Sequence, residues 1–113
     1  MKTNLHTRML ITELKKAGKT TALWKRVAEE LESSTRSMAA VNIAKLDKVV
    51  QDGEIALVPG KVLSLGESSK KLQVAAFAFS EVARAKISAK GEAMSIGDLL
   101  KKNPQGKKVR LVK

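Results

Sequence analysis

The segment Leu72–Phe79 constrains this chain most. One parity reads Leu72, Val74, Ala76, Ala78 and the other Gln73, Ala75, Phe77, Phe79, so both faces of an extended strand are apolar. A strand that must hide both faces belongs in the middle of a sheet covered by layers on either side. Helical periodicity flanks it: Ser80 is placed to cap a helix over Glu81–Lys90, with Gly91 as its stop. Strand and helix signals therefore alternate, and the expected class is α/β.

The rest of the chain fits that class. Leu10, Leu14 and Ala17 recur at helical spacing in a first helix that Gly18 is expected to end. Thr21 stands before a second, in which Leu23, Val27 and Leu31 form an apolar seam widened by Trp24 and Ala28. Residues 1–32 read as a helical hairpin whose outer face carries Lys25 and Arg26, and residues 33–40, rich in serine, as a linker. Residues 41–103 read as the α/β core. Within it Ile43, Leu46, Val49 and Val50 mark a helix that Gly53 ends, and Glu54–Val58 marks a strand. Pro59-Gly60 has the residues of a type II turn, and Lys61–Leu65 reads as a second strand or arm. Ser95 and Asp98 resemble a capping box opening a short helix through Leu100, closed by Asn103-Pro104. Residues 104–113 form a basic tail with a strand at Val109–Val112. At 113 residues, one domain is expected.

Charge decides the class of partner. The chain has 22 Lys plus Arg against 11 Asp plus Glu, a net charge of +11. Residues 1–28 hold seven basic and one acidic residue, and residues 101–113 hold six basic and none acidic, while the stretch between is near neutral. Solubility alone is served by mixed signs, whereas a single-sign field at both ends is the footprint of phosphate binding. Contacts from lysine and arginine to phosphates recognise duplex shape and backbone more than base identity.

Other chemistries find little support. The chain lacks cysteine, which points to a reducing compartment, the cytoplasm by default. No apolar run approaches the roughly 18 residues that cross a bilayer, and residues 1–20 lack a signal-peptide core, so a soluble, unprocessed chain without a membrane partner is expected. Gly18-Lys19-Thr20 lacks the glycine that a phosphate loop needs five positions earlier, where Glu13 stands. His6 is the single histidine and has no ligand-like company, so neither metal nor cofactor is expected. The acids are scattered rather than gathered for catalysis, which argues against an enzyme or a small-molecule substrate. Phe77 and Phe79 fall on one parity of their strand as stacking aromatics do, but without the basic residue and glycines ahead of them they read as core.

Four segments in order carry a resemblance: Leu23-Trp24-Lys25-Arg26-Val27-Ala28-Glu29, Val58-Pro59-Gly60-Lys61-Val62-Leu63, Val74–Glu81 and Asn103-Pro104-Gln105-Gly106-Lys107. Together they resemble the archaeal and eukaryotic large-subunit ribosomal protein eighteen family, related to bacterial ribosomal protein fifteen. Val41-Asn42-Ile43 is similar to that family's short extended stretch before a helix. The resemblance implies a non-enzymatic structural protein of the large ribosomal subunit, in an archaeal type of cytoplasmic ribosome. Its implied partners are large-subunit ribosomal RNA and neighbouring ribosomal proteins. It further implies that Pro59, Gly60 and Lys61 form an exposed turn approaching RNA. The family places an arginine-rich run before the Val-Asn stretch, and here Ser33–Ala40 has only Arg36. Charge and resemblance together nominate Lys2, Arg8, Lys15, Lys16, Lys19, Lys25, Arg26, Arg36, Lys45, Lys48, Pro59, Gly60, Lys61, Lys102, Lys107, Lys108 and Arg110 for RNA contact. Charge alone would equally allow an architectural DNA-binding protein.

Overall fold

The computed structural model describes residues 5–33, 39–68 and 70–113. Its elements run α1 (Leu5–Gly18), α2 (Ala22–Ser33), β1 (Ala39–Asn42), α3 (Ile43–Val49), β2 (Ile55–Leu63), β3 (Gln73–Phe79), α4 (Glu81–Lys90), β4 (Glu92–Ser95), α5 (Ile96–Lys102) and β5 (Val109–Leu111). The strands form one sheet in the order β1-β2-β3-β4, with β5 also on β2, and every pairing is parallel. β5 pairs with Ile55–Leu57 and β1 with Gly60–Leu63, so successive halves of β2 serve two partners.

β3 is central, as its doubly apolar pattern requires, and the two parities divide the core. Val74 and Ala76 join Val58, Val62, Leu46 and Ile87 under α3 and α4. On the other face, Ala75 joins Leu57, Trp24, Val27, Leu14 and Leu99 under α1, α2 and α5. Helices thus cover both faces, the arrangement that lets an all-parallel sheet exclude water. The hairpin of α1 and α2 is one of the covering layers, because Trp24 and Val27 are fully buried in this second cluster.

Both serine caps form as their sequence contexts predict. The Ser80 side chain accepts from the Ala83 N–H at 3.1 Å, and the Ser95 side chain from the Asp98 N–H at 3.0 Å. Such a cap contributes about 1 kcal/mol.

Several expectations are corrected. Pro59-Gly60 is no turn: it lies buried inside the continuous strand β2. Proline is tolerated in this central strand because the β2–β3 register shifts between Val58 and Lys61, an irregularity where a missing N–H leaves the ladder intact. The same shift interrupts the alternation of β3. Phe77 packs against the cluster under α1, α2 and α5, and Phe79 against the opposite cluster, with the Arg84 guanidinium 5.1 Å from its ring centre. The two phenylalanines therefore do not share a face.

The glycines expected to stop helices act through space instead. A Cβ on Gly18 would lie 2.8 Å from the Lys25 backbone, and one on Gly91 would lie 1.9 Å from the Leu72 carbonyl oxygen. Neither glycine has a positive φ, so close approach rather than backbone freedom requires them. Gly53 does not end α3, which stops at Val49; it lies in the turn before β2. The linker expected at 33–40 gives up Ser33 to α2 and Ala39-Ala40 to β1, and residues 34–38 lie outside the described residues. β4 has no counterpart among the expected strands. Its four residues, Glu92 to Ser95, are too short and polar to announce one.

Candidate nucleic-acid interface

The cations divide into two populations. On the α3/α4 side, lysines are consumed by the protein's own carbonyls. Lys70 Nζ donates to Asp47 O at 2.6 Å and Val50 O at 2.7 Å, closing the C-terminal end of α3. Lys86 Nζ donates to Ser64 O and Gly66 O at 3.0 and 3.1 Å and pairs with Glu67, while Lys90 Nζ reaches Ser68 O at 3.3 Å. These bonds fasten the loop 64–72, which joins the parallel strands β2 and β3 and whose described residues form no helix of the kind that usually makes such a crossover.

Around the α1–α2 hairpin and the segment after α5 the pattern reverses. Arg8, Lys16, Lys19, Lys25, Arg26, Lys107 and Lys108 are exposed and make no ion pair among the described residues. An exposed cation without an ion-pair partner keeps its full charge available to a polyanion.

The two basic ends of the sequence meet here. The Trp24 indole Nε1 donates to the Pro104 carbonyl at 2.7 Å, pinning the segment after α5 to the start of α2. Gly106, at φ +66, lies against the same helix: a Cβ there would come 2.7 Å from Leu23 Cδ2 and 3.6 Å from Thr21 Cγ2. Asn103 braces the loop from within, its Nδ2 donating to Lys107 O at 2.9 Å and its Oδ1 accepting from the Lys107 N–H at 3.2 Å. Lys108 then carries φ +57, the one positive φ outside glycine among the described residues. Its carbonyl accepts from the Ile55 N–H at 2.8 Å and leads the chain into β5. A left-handed lysine costs about 1 kcal/mol relative to glycine at such a position.

The other nominated residues fall elsewhere. Lys15 pairs with Glu32 at 2.9 Å and Lys102 with Glu92 at 3.3 Å. Arg110 grips Glu54 through two bonds of 2.8 and 3.1 Å. The Arg110 guanidinium, helped by the Gln51 N–H, holds the Glu54 carboxyl below its usual value, and Glu54 in turn raises Arg110. Lys45 Nζ donates to the Lys113 carbonyl at 2.7 Å, and both Lys45 and Lys48 stand on α3, on the sheet face opposite the hairpin. Pro59 and Gly60 are buried mid-strand, so the exposed turn expected of them is absent; Lys61 alone of that trio is exposed. Lys2 and Arg36 lie outside the described residues.

Sequence reasoning missed Lys101, exposed on α5 beside the loop, and the supporting roles of Trp24, Asn103 and Gly106. The signal was present in the lone tryptophan and the Asn-Pro-Gln-Gly-Lys run, but only the fold joins them.

No described helix is long and apolar enough to cross a membrane. Comparison with known proteins gives a family. Residues 19–93 match the family described as the ribosomal proteins 50S-L15 and 50S-L18e together with their 60S counterpart. Relatives include the "Large ribosomal subunit protein eL18" of Methanosphaerula palustris, 44% identical over 99% of this chain and 95% of its own. The protein of the same name from Haloarcula marismortui is 40% identical over 99% of this chain and 98% of its own. That of Archaeoglobus fulgidus is 47% identical over 80% and 78% respectively. With well over half of its length matched by the family and near full-length relatives at 40% identity and above, the chain belongs to this ribosomal protein family.

Proposed function

We propose that this chain is a structural constituent of the large ribosomal subunit that binds and stabilises folded ribosomal RNA through contacts to phosphates. The observation that carries the reading is the convergence of lysines without ion pairs, from both ends of the sequence, on one end of a rigid α/β scaffold. Membership of a ribosomal protein family and relatives named as large-subunit proteins support it. Lys16, Lys19, Lys25, Arg26, Lys107 and Lys108 carry the contact, with Arg8 and Lys101 at its margin. Neighbouring ribosomal proteins cover other surfaces, and the working compartment is the cytoplasm. The role is one of scaffold rather than catalyst.

Phosphate contact makes affinity fall with salt, by about 0.7–0.9 log units per log unit of salt for each phosphate neutralised. In native extract the protein should sediment with large subunits at low salt and leave them after RNase or high salt. Co-purification with DNase-sensitive chromatin instead would overturn the reading in favour of DNA.

A further inference from the structure

We propose that the loop Asn103–Lys108 is a preformed bracket for RNA phosphates, and that Trp24, buried beneath it, is the residue that positions it. The inference rests on the RNA-binding reading above and goes further, by dividing the grip into cations and a dedicated support.

Four hydrogen bonds and one close approach fix the loop's shape. They are the Trp24 Nε1–Pro104 O bond, the two Asn103 bonds to the Lys107 backbone, the Lys108 carbonyl held by the Ile55 N–H, and the left-handed Gly106 against Leu23. The outcome is that Lys107 and Lys108, adjacent in sequence, leave the loop exposed and without ion pairs among the described residues, on the segment pinned to the hairpin whose turn carries Lys19. Two residues further on, Arg110 is tied to Glu54, so the available charge stops where the fixed loop stops.

Lys108 is the telling position. Glycine would adopt its φ of +57 without strain, yet the position carries a long cationic side chain. Strain retained at an exposed residue that packs no core points to a use for the side chain. Fixing the loop before binding spares the RNA complex the entropy of ordering it, which is the advantage of preorganisation.

Trp24 suits the positioning role because its two halves act separately. The ring fills the cluster under α1 and α2, and the N–H alone reaches the loop. Trp24→Phe keeps an aromatic ring in the core and deletes the donor, and the carbonyl of the exposed Pro104 can then turn to water. The loop loses its anchor while the scaffold stays.

The test is a double-mutant cycle on the full chain, with an in vitro transcript of archaeal large-subunit ribosomal RNA as probe and affinity followed from about 50 to 200 mM salt. Lys107→Ala/Lys108→Ala should lower the salt slope by about 1.4–1.8. Trp24→Phe should weaken binding several-fold and lower the slope in the same direction. Added to the double lysine variant, it should cost nothing more. Equal losses from Trp24→Phe in both backgrounds would overturn the bracket, as would Trp24→Phe binding like wild type. Should Trp24→Phe fold poorly by near-ultraviolet circular dichroism, Asn103→Ala takes its place in the cycle, with the same pattern expected and the same two results overturning it. A wild-type chain that bound the transcript without salt dependence, or not at all, would sink the RNA reading itself and the bracket with it.

Discussion

Lysines on the two sides of this sheet do opposite work. Beside α3 and α4, Lys70, Lys86 and Lys90 turn inward to main-chain carbonyls and hold the loop 64–72. Beside α1, α2 and the loop after α5, Lys16, Lys19, Lys25, Lys107 and Lys108 make no ion pair among the described residues. Net charge cannot tell these populations apart, since a lysine counts the same whether it closes a helix end or waits for a phosphate. What separates them is the supply of unsatisfied carbonyls: an irregular crossover offers many, and a helical hairpin keeps its own bonded. The RNA-facing side of a basic protein is therefore to be sought among its idle cations, not its abundant ones.

That contrast can be broken in four ways, beginning with the largest effect. Gly91→Ala drives a Cβ into the Leu72 carbonyl and should destabilise the fold by on the order of 3 kcal/mol in denaturant titration, with RNA affinity failing only as folded protein is lost. Lys70→Met should cost about 1–2 kcal/mol by removing a charged donor from two carbonyls, while the salt slope of RNA binding stays at its wild-type value. A changed slope would place this lysine among the RNA contacts and erase the division. Lys16→Gln with Lys19→Gln should do the reverse, leaving stability within about 0.5 kcal/mol and flattening the slope by about 1.4–1.8.

The smallest effect concerns pH. Glu54 has its folded pKa lowered from 4.5 by Arg110, so its contribution to stability is fully present above pH 4.5 and fades as pH falls through the depressed value. Glu54→Gln should therefore make stability slightly less pH-dependent on the acid side and unchanged in shape above neutrality, as read by thermal melts across pH. A variant with an unaltered acid limb would show that the pair is not formed in solution.

Local signals were legible wherever one element decides its own fate. The two apolar parities of β3 placed it at the centre, and Ser80 and Ser95 marked helix starts because a cap involves only neighbours within three residues. The failures are tertiary. Pro59-Gly60 carries the chemistry of a turn, and nothing local reveals that a register shift lets a strand absorb it. Gly18 and Gly91 look like helix stops because the partners that demand them, Lys25 and Leu72, are set by packing. At the candidate interface, the basic ends were visible, but their convergence depends on Trp24 reaching across 80 positions to Pro104. The withdrawal of Lys15, Lys102 and Arg110 into ion pairs was hidden for the same reason.

The parallel pairing of β5 with β2 also sets an order of events during synthesis. A chain emerging N-terminus first presents Ile55–Leu57 long before Val109–Leu111 can dock beside them, so that flank of β2 stays unpaired until all the other strands have been made. Lys108 is locked to Ile55 by the same docking, and the loop above it takes shape only then. A nascent chain of this kind carries its positive charge early and its finished grip late, so it can be drawn to RNA by its field before it can hold RNA in register.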